Sequence, residues 1–206
     1  MPPVRIALVG YQSTRKANAE YVSLLPTGAL NADDTVTKLR NYAPRSASTR
    51  QSDLVILITG ARLFDLSAPP GAPEMLGVAH LEGICSQYSV AVVKDLAGTY
   101  SGVHSTVHEM GHLFGSYHDG EGTSVNCPAR EGYIMSPQSQ GAHRDKFSHC
   151  SKRAINKYIT SGGATCLRYA AATSALGIFP RAIVTSLDGH LPQDHKVNIS
   201  TRVNTL

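Results

Sequence analysis

His108-Glu109-Met110-Gly111-His112-Leu113-Phe114-Gly115-Ser116-Tyr117-His118-Asp119 decides how the rest of this chain is read. Residues four apart on a helix lie about 40° apart around its axis, so His108 and His112 project from one face and can grip one ion. A ring nitrogen of each can reach zinc at about 2.0–2.1 Å. Glu109 follows the first imidazole directly, which sets its carboxylate beside a metal rather than on it. A base sits there to take a proton from an attacking water. Gly115 permits a left-handed turn that ends the helix and doubles the chain back. His118, just past that turn, then supplies a third ligand. Three protein ligands leave one tetrahedral position open, the mark of a catalytic zinc rather than a structural one. The expected set is therefore His108, His112 and His118 as metal ligands, Zn2+ as cofactor and Glu109 as catalytic base. Pairing His104 with His108 instead would put Ser105 where the base belongs and leave no third histidine at a suitable offset. His104 is expected as a helix-start residue packed near a sheet. The other histidines (His80, His143, His149, His190, His195) have no ligand spacing and are read as ordinary.

Around that stretch the chain has 206 residues, 42% of them hydrophobic, which suits one globular domain with a sizeable core. Its formal net charge of +4 comes from scattered Lys and Arg. No basic stripe is interleaved with aromatics, so nucleic acid is not an expected partner. No apolar run reaches the roughly 18 residues that span a bilayer, so no membrane is expected either. Residues 4–10 alternate as a strand does and are too short and too polar for a signal peptide.

Residues 31–43 read as a helix capped by Asp33 or Asp34, striped by Val36, Leu39, Tyr42 and Ala43, and stopped by Pro44. Residues 53–59 (DLVILIT) are nearly all apolar, as in a strand buried on both faces. Residues 60–74, with Pro69, Pro70, Gly71 and Pro73, read as loop. Two β-like runs follow at 76–85 and 89–94, then the motif helix from Ser101 or Gly102 to about Phe114, and a last helix near 151–159. This order gives an α/β sandwich with the metal helix packed on a sheet.

Cys85, Cys127, Cys150 and Cys166 form no C-x-x-C pair, which argues against a cysteine zinc site. Four cysteines spread over a domain suit two disulfides and an oxidising compartment, with three pairings open. Asn198-Ile199-Ser200 is an N-glycosylation sequon compatible with secretion.

With these residues in view, H-E-M-G-H-L-F-G-S-Y-H-D resembles the metzincin zinc peptidases, and Asp119 after the third histidine marks their adamalysin (reprolysin) branch. Tyr133-Ile134-Met135-Ser136 matches that family's Met-turn, and Phe147-Ser148-His149-Cys150-Ser151 its F-S-x-C-S element. The D-x-x-x-L-x-T strand is matched by residues 53–59, and Tyr100-Ser101-Gly102-Val103-His104 is most similar to the salivary metalloproteases of ticks. The resemblance implies a metzincin-like catalytic domain: a twisted mixed sheet with the zinc helix packed against it, shortened at the N-terminus by a strand and a helix. It covers residues 1–167 as catalytic domain and leaves 168–206 as a tail of unknown role. It implies the pairing Cys85–Cys166 and Cys127–Cys150. A calcium site found in some relatives would need Asp53, an acidic residue from the absent strand and a side chain where Tyr169 stands, so calcium is not expected. The implied activity is hydrolysis of peptide bonds in extracellular, possibly host, proteins by a secreted monomer. Its protein or peptide substrate would lie along an edge strand between Gly77 and Glu82, with His80 beside it. The rival reading is a catalytically impaired metzincin that acts as a secreted binding protein; an intact Glu109 argues against it.

Overall fold

The computed structural model describes residues 4, 6–14, 19–137, 141–167 and 181–186. Its central element is β3 (Leu54–Thr59), whose run Leu-Val-Ile-Leu-Ile-Thr is β-branched and apolar throughout. Such a strand must be covered on both faces and paired on both edges. It is flanked by β7 (Arg181–Ser186) and by β6 (Val90–Lys94), both parallel to it. The five-stranded order is β1-β7-β3-β6-β5, with β1 (Ala7–Ser13) parallel to β7 and β5 (Gly77–Ala79) antiparallel to β6. The sheet is therefore mixed, and antiparallel only at the β5 edge.

Alternation along the strands divides the core in two. Val55, Leu57, Val90 and Val92 face α1 (Ala32–Tyr42), meeting Val36 and Leu39 together with Tyr21, Val22 and Leu30. Leu54, Ile56, Ala91 and Val93 face the opposite layer, where α2 (Gly102–Leu113) supplies Leu113 and α3 (His149–Thr160) supplies Ile155 and Ile159. Each valine, leucine or isoleucine so buried is worth about 1.5–3 kcal/mol. Two layers of helix thus hold one sheet, as the sandwich expected from the element order requires. A separate parallel pair, β2 (Leu30–Asn31) with β4 (Leu63–Phe64), lies outside that sheet.

Several boundaries differ from the sequence reading. The first strand runs Ala7–Ser13 rather than 4–10. Asn31, not Asp33 or Asp34, caps α1: its Oδ1 accepts from Asp34 N at 3.2 Å, and the two aspartates fall in the first turn. The run 60–74 contains the two residues of β4, which pair with β2. The last helix starts earlier, at His149, where the Ser148 side chain accepts from Ser151 N at 3.1 Å.

The largest difference is at 76–85, where only Gly77–Ala79 is strand. Glu82 and Cys85 take positive φ (59° and 64°), which ends any extended run. Glu82 N donates to His112 O at 2.9 Å, and Tyr158 donates to Glu82 O at 2.7 Å, so this segment is tied to both helices instead of standing free. The tail beyond 167, whose role the sequence left open, contributes β7. Tyr169, His190, His195 and the Asn198 sequon lie outside the described residues.

Candidate active site

α2 carries the motif and is fixed at both ends. At its start, Asp95, just past β6, accepts from Gly102 N at 2.7 Å and from Ser101 Oγ at 3.1 Å, capping the helix from another element. A carboxylate placed there also complements the positive end of the helix. At its end, Gly115 takes φ +88°, and Gly115 N donates to His112 O at 2.8 Å. That turn brings His118 back over the helix, as its position after a glycine foretold.

The three imidazoles converge. His118 Nε2 lies 3.1 Å from His108 Nε2 and 3.1 Å from His112 Nε2. Their other nitrogens are held: His108 Nδ1 donates to Ile134 O at 2.6 Å, and His112 Nδ1 donates to Ser116 O at 2.8 Å. His118 Nδ1 faces Glu121 Oε2 at 3.4 Å. With the proton fixed on Nδ1, the Nε2 lone pairs of His108 and His112 point at a common centre. Such lone pairs repel one another and are reconciled by a cation between them; the outer partners are those that orient metal-binding histidines. Burial, followed by the neighbouring His112, drives the His108 imidazole down to about 3. Burial, followed by His118, drives His112 down to about 4. Both rings are thus neutral at physiological pH, the form that coordinates metal. The trio fits a zinc ion by donor type, number and convergence.

Glu109 is 5% exposed and lies on the α2 face against β5. Burial alone pushes its carboxyl up to about 8. Below the trio sits Met135, wholly buried, with its sulfur against Gly111, where any Cβ would collide with it. Ile134 and Met135 also offer their carbonyls to His108 Nδ1 and Asp119 N, so this turn supports two points of the site. Asp119 is 1% exposed and accepts from Ser148 Oγ at 2.6 Å, which pins the residue after His118 to the start of α3.

The structure leaves His104 out of the trio. Its half-buried ring hydrogen-bonds the Arg144 backbone. His143 stacks on Tyr133 at 4.7 Å. His149 is less ordinary than its spacing suggested: its ring lies 3.4 Å from the Cys127 sulfur. The disulfides are Cys85–Cys166 and Cys127–Cys150, the pairing the family resemblance implied. Sequence reasoning missed Asp95 as the helix cap and the Ile134 and Ser116 carbonyls as orienting groups. Backbone acceptors leave no mark in side-chain identity.

Between β5 and the start of α2, a small apolar pocket is lined by Leu76, Lys94, Leu96, Ser101 and Ser105. Ser105, one of its lining residues, stands one turn before Glu109 on α2. Tyr100 and Val103 are exposed nearby in the chain, at the start of the helix. No helix among the described residues is long and apolar enough to cross a membrane.

Comparison with known proteins agrees with this geometry. Residues 27–170 match the model of the "Reprolysin (M12B) family zinc metalloprotease". The chain is 32% identical over 165 residues to venom metalloproteinase BumaMPs1 of Olivierus martensii, covering 76% of this chain and 42% of that protein. It is 37% identical over 141 residues to mouse "A disintegrin and metalloproteinase with thrombospondin motifs 16", covering 66% of this chain and 11% of that one. It is 27% identical over 157 residues to the antarease-like venom metalloproteinase TserMP_B of Tityus serrulatus, covering 69% of this chain and 66% of that one. The chain thus spans less than half the length of the first two relatives.

Proposed function

The chain belongs to the reprolysin (M12B) zinc metalloprotease family, and from that premise we propose that it is a zinc-dependent endopeptidase of extracellular proteins. In this reading His108, His112 and His118 hold the ion and Glu109 handles the proton. Bound zinc supplies a Lewis acid for the scissile carbonyl, a lowered pKa for water, and positive charge that favours the ionised Glu109 carboxyl.

The chain's own residues do the rest. A substrate strand adds to the free edge of β5 through main-chain hydrogen bonds. The docking edge is Gly77 to His80, shorter than the stretch to Glu82 expected from sequence, because Glu82 is turned into contacts with α2 and α3. A substrate side chain enters the pocket between Leu76, Leu96 and Ser105, which suits a small apolar group. Glu109 accepts the proton of the attacking water on one carboxylate oxygen and returns it to the leaving nitrogen. Burial keeps bulk water from competing for that proton. Two disulfides and relatives named as venom metalloproteinases support an extracellular setting.

The observation that carries the proposal is the convergence of three Nε2 atoms whose Nδ1 positions are occupied, on a helix where the buried Glu109 directly follows the first of them. The test is to incubate the purified chain with a mixed protein substrate, with zinc and with a chelator. Cleavage that disappears with the chelator and returns with zinc is expected. Glu109→Ala should retain zinc while turnover falls by about 10²–10⁴-fold. His118→Ala should lose zinc as well. Full activity in Glu109→Ala removes its assignment as base. Zinc bound stoichiometrically while no substrate is cut would favour the binding-protein reading.

A further inference from the structure

Gly77 opens β5 with a φ outside the left-handed region, so its backbone does not require glycine. Glycine within a strand forfeits packing and marks a place where something approaches the backbone closely. Here that neighbour is Glu109. A Cβ on Gly77 would lie 2.5 Å from Glu109 Oε1 and 2.8 Å from both its Cδ and its Cγ. All three nearest atoms belong to one carboxyl-bearing side chain. Gly111 makes the contrast: a Cβ there meets the Met135 thioether, whose side chain is wholly buried beneath the helix.

We infer that Gly77 is a positioning residue for the Glu109 carboxyl. The bare Cα of β5 is the surface on which that carboxyl rests, and the missing side chain sets where its oxygens stand relative to the three imidazoles. The inference rests on the proposal that Glu109 is the base. A methyl at 77 excludes Cγ as well as the carboxyl, so it turns the whole Glu109 side chain about its Cα–Cβ bond while strand and helix stay in place. The fold and the metal ligands therefore keep their places, and proton transfer takes the loss. Strand side chains project out of the sheet plane, whereas an added strand pairs within it. The methyl consequently points toward Glu109 and away from the substrate backbone, so the effect belongs to kcat and not to KM.

The experiment compares the parent chain, Gly77→Ala, Glu109→Ala and the double variant. It measures kcat, KM, bound zinc and thermal midpoint for each. Displacing a reacting group by about 1 Å can cost on the order of 10²-fold, so kcat of Gly77→Ala should fall by about that factor. KM should stay within about twofold of the parent value, as expected when uniform binding is untouched. Zinc should remain stoichiometric. The midpoint should hold or rise, because alanine restricts the unfolded chain. Glu109→Ala removes all three atoms that the methyl would meet, so adding Gly77→Ala to it should lower the residual kcat by less than about threefold, the signature of coupled neighbours. Equal fractional losses in both backgrounds, a loss confined to KM, or a fall in zinc or midpoint would overturn the inference. So would an unchanged kcat in Gly77→Ala beside an inactive Glu109→Ala, with the base assignment left standing. Full activity in Glu109→Ala overturns both.

Discussion

The two ends of the sheet are built in opposite ways. At one end, β5 contributes three residues, pairs antiparallel with β6, and runs at once into a segment with two positive-φ residues. Beyond two backbone bonds to the end of α2, what holds that end is side-chain and covalent: Tyr158 on the Glu82 and Ile84 carbonyls, and Cys85 bonded to Cys166. At the other end, β1, β7 and β3 lie parallel, with register running from Ala7↔Arg181 to Ser13↔Ser186 on one side and from Leu54↔Ala182 to Ile58↔Ser186 on the other. What holds that end is the backbone ladder. A short edge pinned by a few specific ties leaves β5 with one side unpaired among the described strands, the side proposed above for substrate. The long parallel ladder contributes rigidity, and among its described strands β7 and β3 are paired on both sides while β1 is paired on one.

This contrast can be broken from either side. The largest effect should come from removing the Cys85–Cys166 bond, for which chain-entropy arguments with a sequence separation of 81 suggest about 4–5 kcal/mol. In Cys85→Ser/Cys166→Ser, denaturant titration should show that loss. Hydrogen exchange should then quicken first around Glu82 and Ile84, while β1 stays protected; uniform quickening would mean that the two ends are one unit. The next effect should come from Val184→Pro, which strikes the other end. Val184 pairs with Tyr11 on one side and Ile56 on the other. A proline there removes a ladder hydrogen bond and leaves a buried acceptor, worth about 1–3 kcal/mol. Protection should fall in β1 and β3 with the zinc content unchanged. Undisturbed protection of β3 would show that β7 does not hold it. The smallest effect should come from Tyr158→Phe, which deletes the donor to two carbonyls at 2.7 and 3.2 Å. About 1 kcal/mol of stability should go, with a rise in KM as the end of the docking edge loosens. An unchanged KM would show that the turn at Glu82 does not steady the docking edge before it.

The site was more legible than the frame around it, for a physical reason. His108, Glu109 and His112 are arranged by helical periodicity alone, and Gly115 announces the turn that returns His118, so local sequence specifies their geometry. The packing of Met135 under Gly111 was legible only through the family's Met-turn. Three things were not legible. Parallel pairing of β7 with β1 and β3 joins segments far apart in the chain, and no local pattern encodes it. The shortness of β5 depends on Glu82 and Cys85 adopting φ > 0, which the ties to Tyr158 and Cys166 sustain and which neither residue type suggests. Asn31 took the cap from Asp33 and Asp34 because any of the three can cap a helix, and packing of Ala32, Val36 and Leu39 chose the register.

β7 also carries a consequence for how the protein is made. It follows every other described strand in the chain, yet it lies between two of the earliest. At translation rates of about 5–20 residues per second, on the order of ten seconds separate the emergence of β3 from that of its neighbour. For that interval Leu54, Val55, Ile56 and Leu57 form an apolar strand with one edge open, which is a template for pairing with the wrong chain. A nascent molecule therefore depends on its surroundings to shield this edge until synthesis reaches Ser186.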